Sequence, residues 1–243
     1  MHRITLLTKA DTRAAYDGAT EVNPDGANTM RLYYHPQSTC SRRALLAAAH
    51  LDAPVDLVMV DLFRGEHRTP EFLRLNANHR VPVLDDDGFI LWESHAIMQY
   101  LADKTPRQTV YPTGVRERAD VNRWLFWCAA HLMPAITILN WENNIKGLLG
   151  LGSPDPAEVK RGEEQMREFG GVLDAHLAKR HWISGDALTL ADLAIAAPLA
   201  DLARARLPVE GFADLLRWFA GVQALDAWKS TQPQNPHRAT NDG

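Results

Sequence analysis

The chain has 243 residues, of which 46% are hydrophobic and 23% charged, with a formal net charge of −4 and a pI near 6.2. This is the composition of an ordinary globular protein, and its basic residues are dispersed among acidic ones, which argues against nucleic acid as a partner. No apolar run reaches the roughly 18 residues of a membrane span, and Cys40 and Cys128 are too few for a disulfide framework, so we expect a cytoplasmic protein that binds neither membrane nor nucleic acid.

Both ends of the chain differ in composition from the rest. Residues 1–29 open with the short apolar run Ile4-Thr5-Leu6-Leu7 and then become rich in Asp, Asn, Gly and Thr. The run is too short for a secretory signal peptide, and acidic residues soon follow it. We therefore predict a disordered or loosely docked extension over residues 1–29 and a disordered, proline-containing tail over residues 230–243.

Residues 30–105 alternate between strand-like and helix-like patterns. The predicted strands are 31–34, 55–60, 81–84 and 89–92, and the predicted helices are 40–50, 70–75 and 94–102. Asp87-Gly88, between the last two strands, is a strong hairpin signal. The resulting order, β-α-β-α-β-β-α, joins a parallel pair to an antiparallel hairpin, which is the arrangement of a thioredoxin-like α/β domain.

The chain changes character after a linker rich in proline and glycine at residues 106–114. Residues 115–229 show no strand signal and are predicted to form an all-helical domain, with helices over 115–139, 156–179, 189–202 and 212–228. Pro134 is expected to kink or end the first of these helices. Thr189 and Asp192 have the spacing of a capping box, which favours a helix-starting role for Asp192 over a catalytic one.

The junction at Pro36–Arg43 carries the clearest chemical signal. A strand breaks at Pro36, and the run Ser38-Thr39-Cys40-Ser41 then opens an apolar helix. Free backbone N–H groups and the helix dipole make such a helix start a site for an anion, including a thiolate. Either Ser38 or Cys40 could serve that chemistry.

Five sequence blocks in this order resemble the cytosolic glutathione S-transferases, in particular their bacterial theta-like and plant phi-like members. The blocks are His35-Pro36-Gln37-Ser38-Thr39-Cys40-Ser41-Arg42, Val60-Asp61-Leu62-Phe63-Arg64-Gly65-Glu66-His67-Arg68-Thr69-Pro70, Arg80-Val81-Pro82-Val83-Leu84, Trp92-Glu93-Ser94-His95-Ala96-Ile97 and Leu188-Thr189-Leu190-Ala191-Asp192. The resemblance extends from Met30 to about Trp228.

The resemblance implies glutathione as co-substrate and assigns its binding residues. Glu93 and Ser94 match the site for the γ-glutamyl end, where an acid can pair with the ammonium and a helix start can hold the carboxylate. Val81-Pro82 matches a cis-proline element that offers the Val81 backbone to the cysteinyl unit.

Further residues match the family pattern less closely. His67 and Arg68 match a basic pair near the glycyl carboxylate, and Thr39 is a further binding candidate. Arg80 departs from the family, which often has Gln there, so only the backbone contact carries over. No metal site is expected.

For the reacting thiol the resemblance favours Ser38 over Cys40. Ser38 matches the serine that stabilises the glutathione thiolate in phi, theta and zeta members, with Thr39 or Ser41 as substitutes if the helix starts elsewhere. Cys40 would instead support thiol exchange or lyase chemistry. Helical residues rotate by about 100°, so Cys40 should point some 200° away from Ser38, toward the core.

The expected function is therefore a glutathione transferase that conjugates glutathione to a small, mostly apolar electrophile, as in detoxification, and that forms a homodimer. Glutathione-dependent dehalogenase, ether-cleaving lyase or Cys40 thiol-exchange activity is one alternative, and a non-catalytic binding or scaffold protein is another. Several aromatic residues lie where they could line the electrophile pocket, and none is assigned a role: Trp124, Trp127, His131, Trp141 and His35.

Overall fold

The computed structural model describes residues 5–6 and 30–232. The predictions for residues 1–29 and 230–243 fall outside this range, apart from Thr5–Leu6 and Ser230–Gln232. The chain divides into two compact units, one formed by the chain up to Pro106 together with the chain from Asp226, the other by Arg107–Leu225.

The first unit contains a five-stranded sheet in the order β1-β3-β2-β4-β5. Its strands are β1 (Thr5–Leu6), β2 (Met30–Tyr34), β3 (Val55–Met59), β4 (Val83–Asp86) and β5 (Phe89–Trp92). The helices are α1 (Thr39–His50), α2 (Pro70–Leu75) and α3 (Ser94–Lys104), with a short 3-10 helix at Glu66–Arg68. β1 and β2 run parallel to β3, whereas β4 runs antiparallel to both β2 and β5. The predicted thioredoxin-like order is confirmed, with the two-residue β1 added at one edge.

The β4–β5 hairpin turns at Asp87-Gly88, as predicted, with φ of 52° and 85° at the two positions. β4 nevertheless lies two residues later than the predicted strand 81–84, because Asp85 and Asp86 are buried and both have partners for their carboxylates. Asp85 forms an ion pair with Arg31 at 2.7 Å, and Asp86 accepts hydrogen bonds from two side chains of α3.

One buried cluster of the first unit combines side chains of β2, β3 and β4 with others from α2 and the adjoining loops. Its buried members are Tyr33, Val58, Val60, Phe72, Val81 and Val83. Burying a side chain of this size stabilises the fold by roughly 1.5–3 kcal/mol. This packing holds the segment that precedes β4 against the sheet.

The second unit is all-helical, as predicted. Its first helix continues through α4 (Val115–Trp127), α5 (Met133–Asn140) and α6 (Lys146–Leu148), with π-helical turns at Cys128–Leu132 and Trp141–Ile145. The helix does not end at Pro134, so that part of the prediction for Pro134 is wrong. A wider turn lies directly before Pro134 and accommodates a residue that has no N–H to donate.

The remaining helices of the second unit are α7 (Pro156–Leu177), α8 (Leu190–Leu199) and α9 (Ala213–Gln223). The capping box at the start of α8 is confirmed, with Thr189 and Asp192 each accepting a backbone N–H. Asp192 is fully buried and also accepts hydrogen bonds from Ile183 N and Trp218 Nε1, at 2.9 and 2.8 Å. Burial raises the pKa of Asp192 against the effect of these donors. These contacts agree with the helix-starting role that the sequence favours for Asp192.

The helix α10 (Asp226–Ser230) groups with the first unit, whereas the sequence predicted it as part of the helical domain. The reason is Arg42 on α1, whose guanidinium contacts the Trp228 ring and donates to the carbonyl groups of Trp228 and Thr231, at 3.3 and 3.0 Å. Among the described residues, no helix is long and apolar enough to cross a membrane.

Candidate active site

Four candidate segments of the first unit emerge at one edge of its sheet. The strand registers show this directly, since Tyr34 lies opposite Met59, Tyr33 opposite Val83, and Val83 opposite Trp92. The ends of β2 and β3, the start of β4 and the end of β5 therefore coincide. The segments at this edge are 35–38, 60–69, 81–82 and 93–94. Residues that are distant in the sequence thus meet at one end of the sheet.

Ser38 is the N-cap of α1 and has extended backbone angles. Its Oγ accepts a hydrogen bond from the backbone N–H of Ser41 at 3.1 Å, while its own N–H donates to the His35 carbonyl at 3.0 Å. Within residues 30–232 its hydroxyl donates to no group. Because a hydroxyl has one hydrogen and two lone pairs, Ser38 can cap the helix and still donate to a ligand.

The charges around this helix start favour an anion. The first turns of α1 and α3 contain no acidic residue, whereas Arg42 and Arg43 are buried in α1, 4% and 2% exposed. Helix N-termini carry partial positive charge, and both helices begin at the sheet edge that holds the candidate segments. The Arg43 guanidinium, which reaches Cys40 Sγ and Ser94 Oγ at the two helix starts, adds a full positive charge there.

Cys40 does not pack in the core, contrary to the sequence expectation. Its side chain is half-buried, and its Sγ accepts a weak hydrogen bond from Arg43 Nη1 at 3.9 Å. The fully buried position is Ser41, whose Oγ accepts the His35 N–H at 3.2 Å. The rotation argument fails because Ser38 is an extended cap and the helix begins only at Thr39. Thr39 itself is half-buried.

Arg43 connects the starts of α1 and α3. The same nitrogen that reaches Cys40, Nη1, donates to Ser94 Oγ at 2.9 Å. Sequence analysis missed this residue, since adjacent arginines at a helix start are typical of a surface. The apolar stripe of α1 was its signal, because Arg43 lies one helical turn before Leu46 and Ala47, which are both fully buried.

Glu93 and Ser94, at the start of α3, differ in their exposure to solvent. Glu93 is exposed and adopts φ of 72°, a left-handed conformation that is uncommon for a non-glycine residue. Such backbone strain concentrates at functional sites. Ser94 is the first residue of α3 and is 5% exposed. Next to it, burial and then the charge of Arg43 lower the pKa of His95 to about 3.

The Val81–Pro82 peptide bond is cis, as the resemblance implies. Val81 is buried by its side chain, and neither its N–H nor its carbonyl bonds to another group within residues 30–232. A buried backbone that makes no hydrogen bond is unusual in a folded protein. The Val81 backbone is therefore available to a ligand with peptide groups of its own.

A basic group occupies the segment after β3 and the loop before Val81. His67, in the 3-10 helix, lies 6.4 Å from His79 between ring centres. Burial lowers the pKa of His67, and the charges of Arg68, His79 and Arg80 lower it further. Arg68 and Arg80 are exposed. Buried His67 Nδ1 has no partner among the described residues. His79 carried no recognisable signal in the sequence and was not predicted.

The aromatic residues considered for an electrophile pocket differ in burial and in the residues that they contact. His35 is buried in the first unit, where its ring meets Phe63. Trp124 is buried in the second unit and packs on His176 at 4.4 Å. Trp127 and His131 both face Phe169, whereas Trp141 is exposed. In the described part of the chain, no group of three His, Cys, Asp or Glu side chains could hold a metal ion.

Comparison with known proteins relates this chain to one protein family. The family model described as "Glutathione S-transferase, N-terminal domain" matches residues 28–103, and "Glutathione S-transferase, C-terminal domain" matches residues 128–231. Glutathione S-transferase hmp2 of Hypomyces subiculosus is 32% identical over 205 residues, which are 82% of this chain and 95% of that protein.

Solved structures agree with the sequence comparison. A delta-class glutathione transferase of Nilaparvata lugens is 32% identical with a TM-score of 0.71, over 84% of this chain and 94% of that one. Glutathione S-transferase I, solved with lactoylglutathione bound, is 25% identical with a TM-score of 0.76, over 84% of this chain and 98% of that one.

Proposed function

The chain belongs to the glutathione S-transferase family of enzymes, and we propose that its Ser38 hydroxyl stabilises the thiolate of bound glutathione. The observation that carries this proposal is the cap itself. Ser38 Oγ accepts the Ser41 N–H, so its hydrogen is directed away from the helix, at a helix start whose first turn holds no acid. The sulfur of glutathione is the anion that fits there.

The hydrogen bond from Ser38 and the N-terminus of α1 together provide enough free energy to stabilise the thiolate. A thiol with pKa near 8.5 is only slightly ionised at neutral pH, and each unit of depression requires about 1.4 kcal/mol of preference for the thiolate. A hydroxyl that donates to a charged acceptor contributes roughly 1.5–3 kcal/mol, and a helix N-terminus adds about 0.3–1. Together they lower the thiol pKa by between one and three units. No general base is needed.

The rest of glutathione fits the three other segments at the same edge. The γ-glutamyl carboxylate binds at Ser94 and its ammonium at Glu93, while the cysteinyl unit pairs with the Val81 backbone beside Pro82. The glycyl carboxylate binds among His67, Arg68 and Arg80, where buried His67 Nδ1 has no protein partner among the described residues. Thr39, at the start of α1, contributes its backbone N–H.

The reaction that follows is a transfer to the glutathione sulfur. The thiolate attacks a small, mostly apolar electrophile, a new C–S bond forms, and a leaving group departs with its electron pair or, in conjugate addition, a proton is taken up at carbon. The enzyme contributes thiolate stabilisation and alignment of the two reactants. By its sequence blocks we place the protein near the phi and theta classes, as a cytoplasmic homodimer. A monomeric mass in solution would refute the dimer.

The direct test uses glutathione with the full-length protein. Bound thiolate absorbs in the ultraviolet, and the pH at which this band appears should rise by about one to two units in Ser38→Ala, with conjugation of an aryl halide falling roughly ten- to a hundredfold. An unchanged pH midpoint would overturn the role of Ser38. Glutathione binding without turnover of a broad electrophile panel would instead indicate a scaffold protein.

A second candidate function, thiol exchange at Cys40, is favoured by one observation. Cys40 is half-buried instead of packed in the core, and its sulfur faces the Arg43 guanidinium. The Cys40 thiolate would attack oxidised glutathione, form a mixed disulfide and release one glutathione thiolate. We expect Cys40→Ala to separate this function from the transferase activity.

A further inference from the structure

Arg43 is a buried cation that touches the starts of two helices at the glutathione-binding edge. Its side chain is 2% exposed, and its Nη1 donates to Ser94 Oγ at 2.9 Å and to Cys40 Sγ at 3.9 Å. A guanidinium nitrogen of this kind carries two hydrogens, so each contact uses one of them. Arg43 is thus built into the layer directly beneath the candidate site.

We propose that Arg43 is a positioning residue that aims the Ser94 hydroxyl at the γ-glutamyl carboxylate of glutathione. This inference rests on the proposed function, because it requires glutathione to bind at Ser94. Oγ of Ser94 accepts from Arg43, and an accepting lone pair cannot donate. The one hydrogen of the hydroxyl therefore points away from Arg43, which leaves it free to donate to a carboxylate at the start of α3.

The charge of Arg43 acts in the same direction. A guanidinium stays protonated at all physiological pH values, and its attraction for a carboxylate is stronger where water is excluded. The first turn of α3 contains no acidic residue that would repel a bound carboxylate. The bound carboxylate therefore meets an oriented hydroxyl, the N-terminus of α3 and a buried positive charge behind both.

The experiment measures binding of S-methylglutathione, which has no ionisable thiol, to the full-length protein by calorimetry. In Arg43→Gln we expect a loss of affinity of roughly tenfold, which corresponds to about 1.4 kcal/mol. Ser94→Ala should lose a similar factor, and the double variant should be little weaker than either single one, because Arg43 acts through Ser94. Additive losses would overturn the proposal.

The choice of ligand makes the result specific. S-methylglutathione has no thiol for Ser38 to stabilise, so a failure of the Ser38 proposal leaves this test intact. An S-methylated analogue in which the γ-glutamyl unit is replaced by 4-aminobutanoyl lacks only the α-carboxylate. Its affinity should be the same with and without Arg43→Gln, and a tenfold drop would assign Arg43 a merely structural role.

Folding of the variants is checked in parallel. Arg167→Gln removes an exposed arginine that forms an ion pair with Glu163 at 3.6 Å, and it should change neither affinity nor thermal stability. Should Arg43→Gln not fold, Arg43→Lys retains a cation but not the planar fork of donors. We expect Arg43→Lys to bind S-methylglutathione more tightly than Arg43→Gln but less tightly than the unaltered protein. Full affinity in Arg43→Lys, without the Arg43–Ser94 hydrogen bond, would contradict the positioning role.

Discussion

The guanidinium carbon of Arg42 lies 4.3 Å from the centre of the Trp228 ring, although the two residues are 186 positions apart in the chain. Trp228 is 2% exposed. Arg42 also donates its backbone N–H to the Ser38 carbonyl at 2.9 Å. α10 therefore packs directly on the helix turn that carries the proposed catalytic hydroxyl.

Trp228→Ala should lower the free energy of unfolding by about 3–5 kcal/mol, because it removes a large buried ring and leaves Arg42 without its stacking partner. Trp141, which is 42% exposed, provides the matched control, and Trp141→Ala should change the value by less than about 1 kcal/mol. Urea unfolding of both variants measures the difference. Equal losses would contradict a docked α10.

Much of the first unit could be predicted from the sequence, because its signals are local. The Asp87-Gly88 turn, the helix start at Ser94 and the helix over Pro70–Leu75 all depend on residues within a few positions of one another. The order of these local signals also predicted the thioredoxin-like topology.

The partners of buried charges could not be predicted in the same way. Periodicity shows which face of α1 is apolar, but it does not show that Arg42 meets a carbonyl 186 residues later or that Arg43 meets Ser94 on another helix. The prediction that Cys40 points into the core failed for a related reason, because the direction of its side chain depends on the residue at which the helix begins. Contacts of this kind are properties of the tertiary structure.

Asp192→Ala should destabilise the second unit by about 3 kcal/mol or more, because the backbone N–H groups of Ile183 and Thr189 and the Trp218 indole lose a buried acceptor. All these partners lie in the same unit, so the glutathione KM of the folded fraction should stay unchanged. Chemical denaturation and steady-state kinetics below the transition measure the two effects. Asp186→Asn, at an exposed position, is the control. A large change in KM with normal stability would contradict the structural role.

His95 should make the protein sensitive to mild acid. Burial and then Arg43 lower its pKa to about 3 in the folded state, against about 6.5 in an unfolded chain. The folded state thus binds fewer protons, so stability falls as pH drops from about 6.5 toward 3, by about 1.4 kcal/mol per unit. Above this range His95 has no effect.

Replacing His95 by Gln removes this titration. Between about pH 7 and pH 5, the unaltered protein should lose roughly 2 kcal/mol more of its unfolding free energy than His95→Gln does. Urea titrations at the two pH values give the comparison, and His181→Gln, at an exposed position, should behave as the unaltered protein. Identical slopes in His95→Gln and the unaltered protein would show that His95 titrates normally.

The two roles of Ser38 can be separated by a residue that caps but does not donate. Asp is as good an N-cap as Ser, whereas Ala costs about 1 kcal/mol. Ser38→Asp should therefore keep the stability that Ser38→Ala loses, yet its carboxylate would repel the glutathione thiolate. We expect conjugation to fall at least as far in Ser38→Asp as in Ser38→Ala. If activity instead followed stability across the two variants, the hydroxyl would be a cap alone.

Cys40→Ala should retain conjugation activity within about threefold, because the Arg43–Ser94 hydrogen bond does not depend on the Cys40 sulfur and a weak hydrogen bond to sulfur contributes little. Aryl halide turnover is measured for Cys40→Ala beside Cys40→Ser, which keeps an acceptor for Arg43. The unaltered protein is also treated with oxidised glutathione and weighed by mass spectrometry. Loss of conjugation in both variants, together with a glutathione adduct on Cys40, would move the chemistry from the Ser38 hydroxyl to the thiol two residues further along the helix.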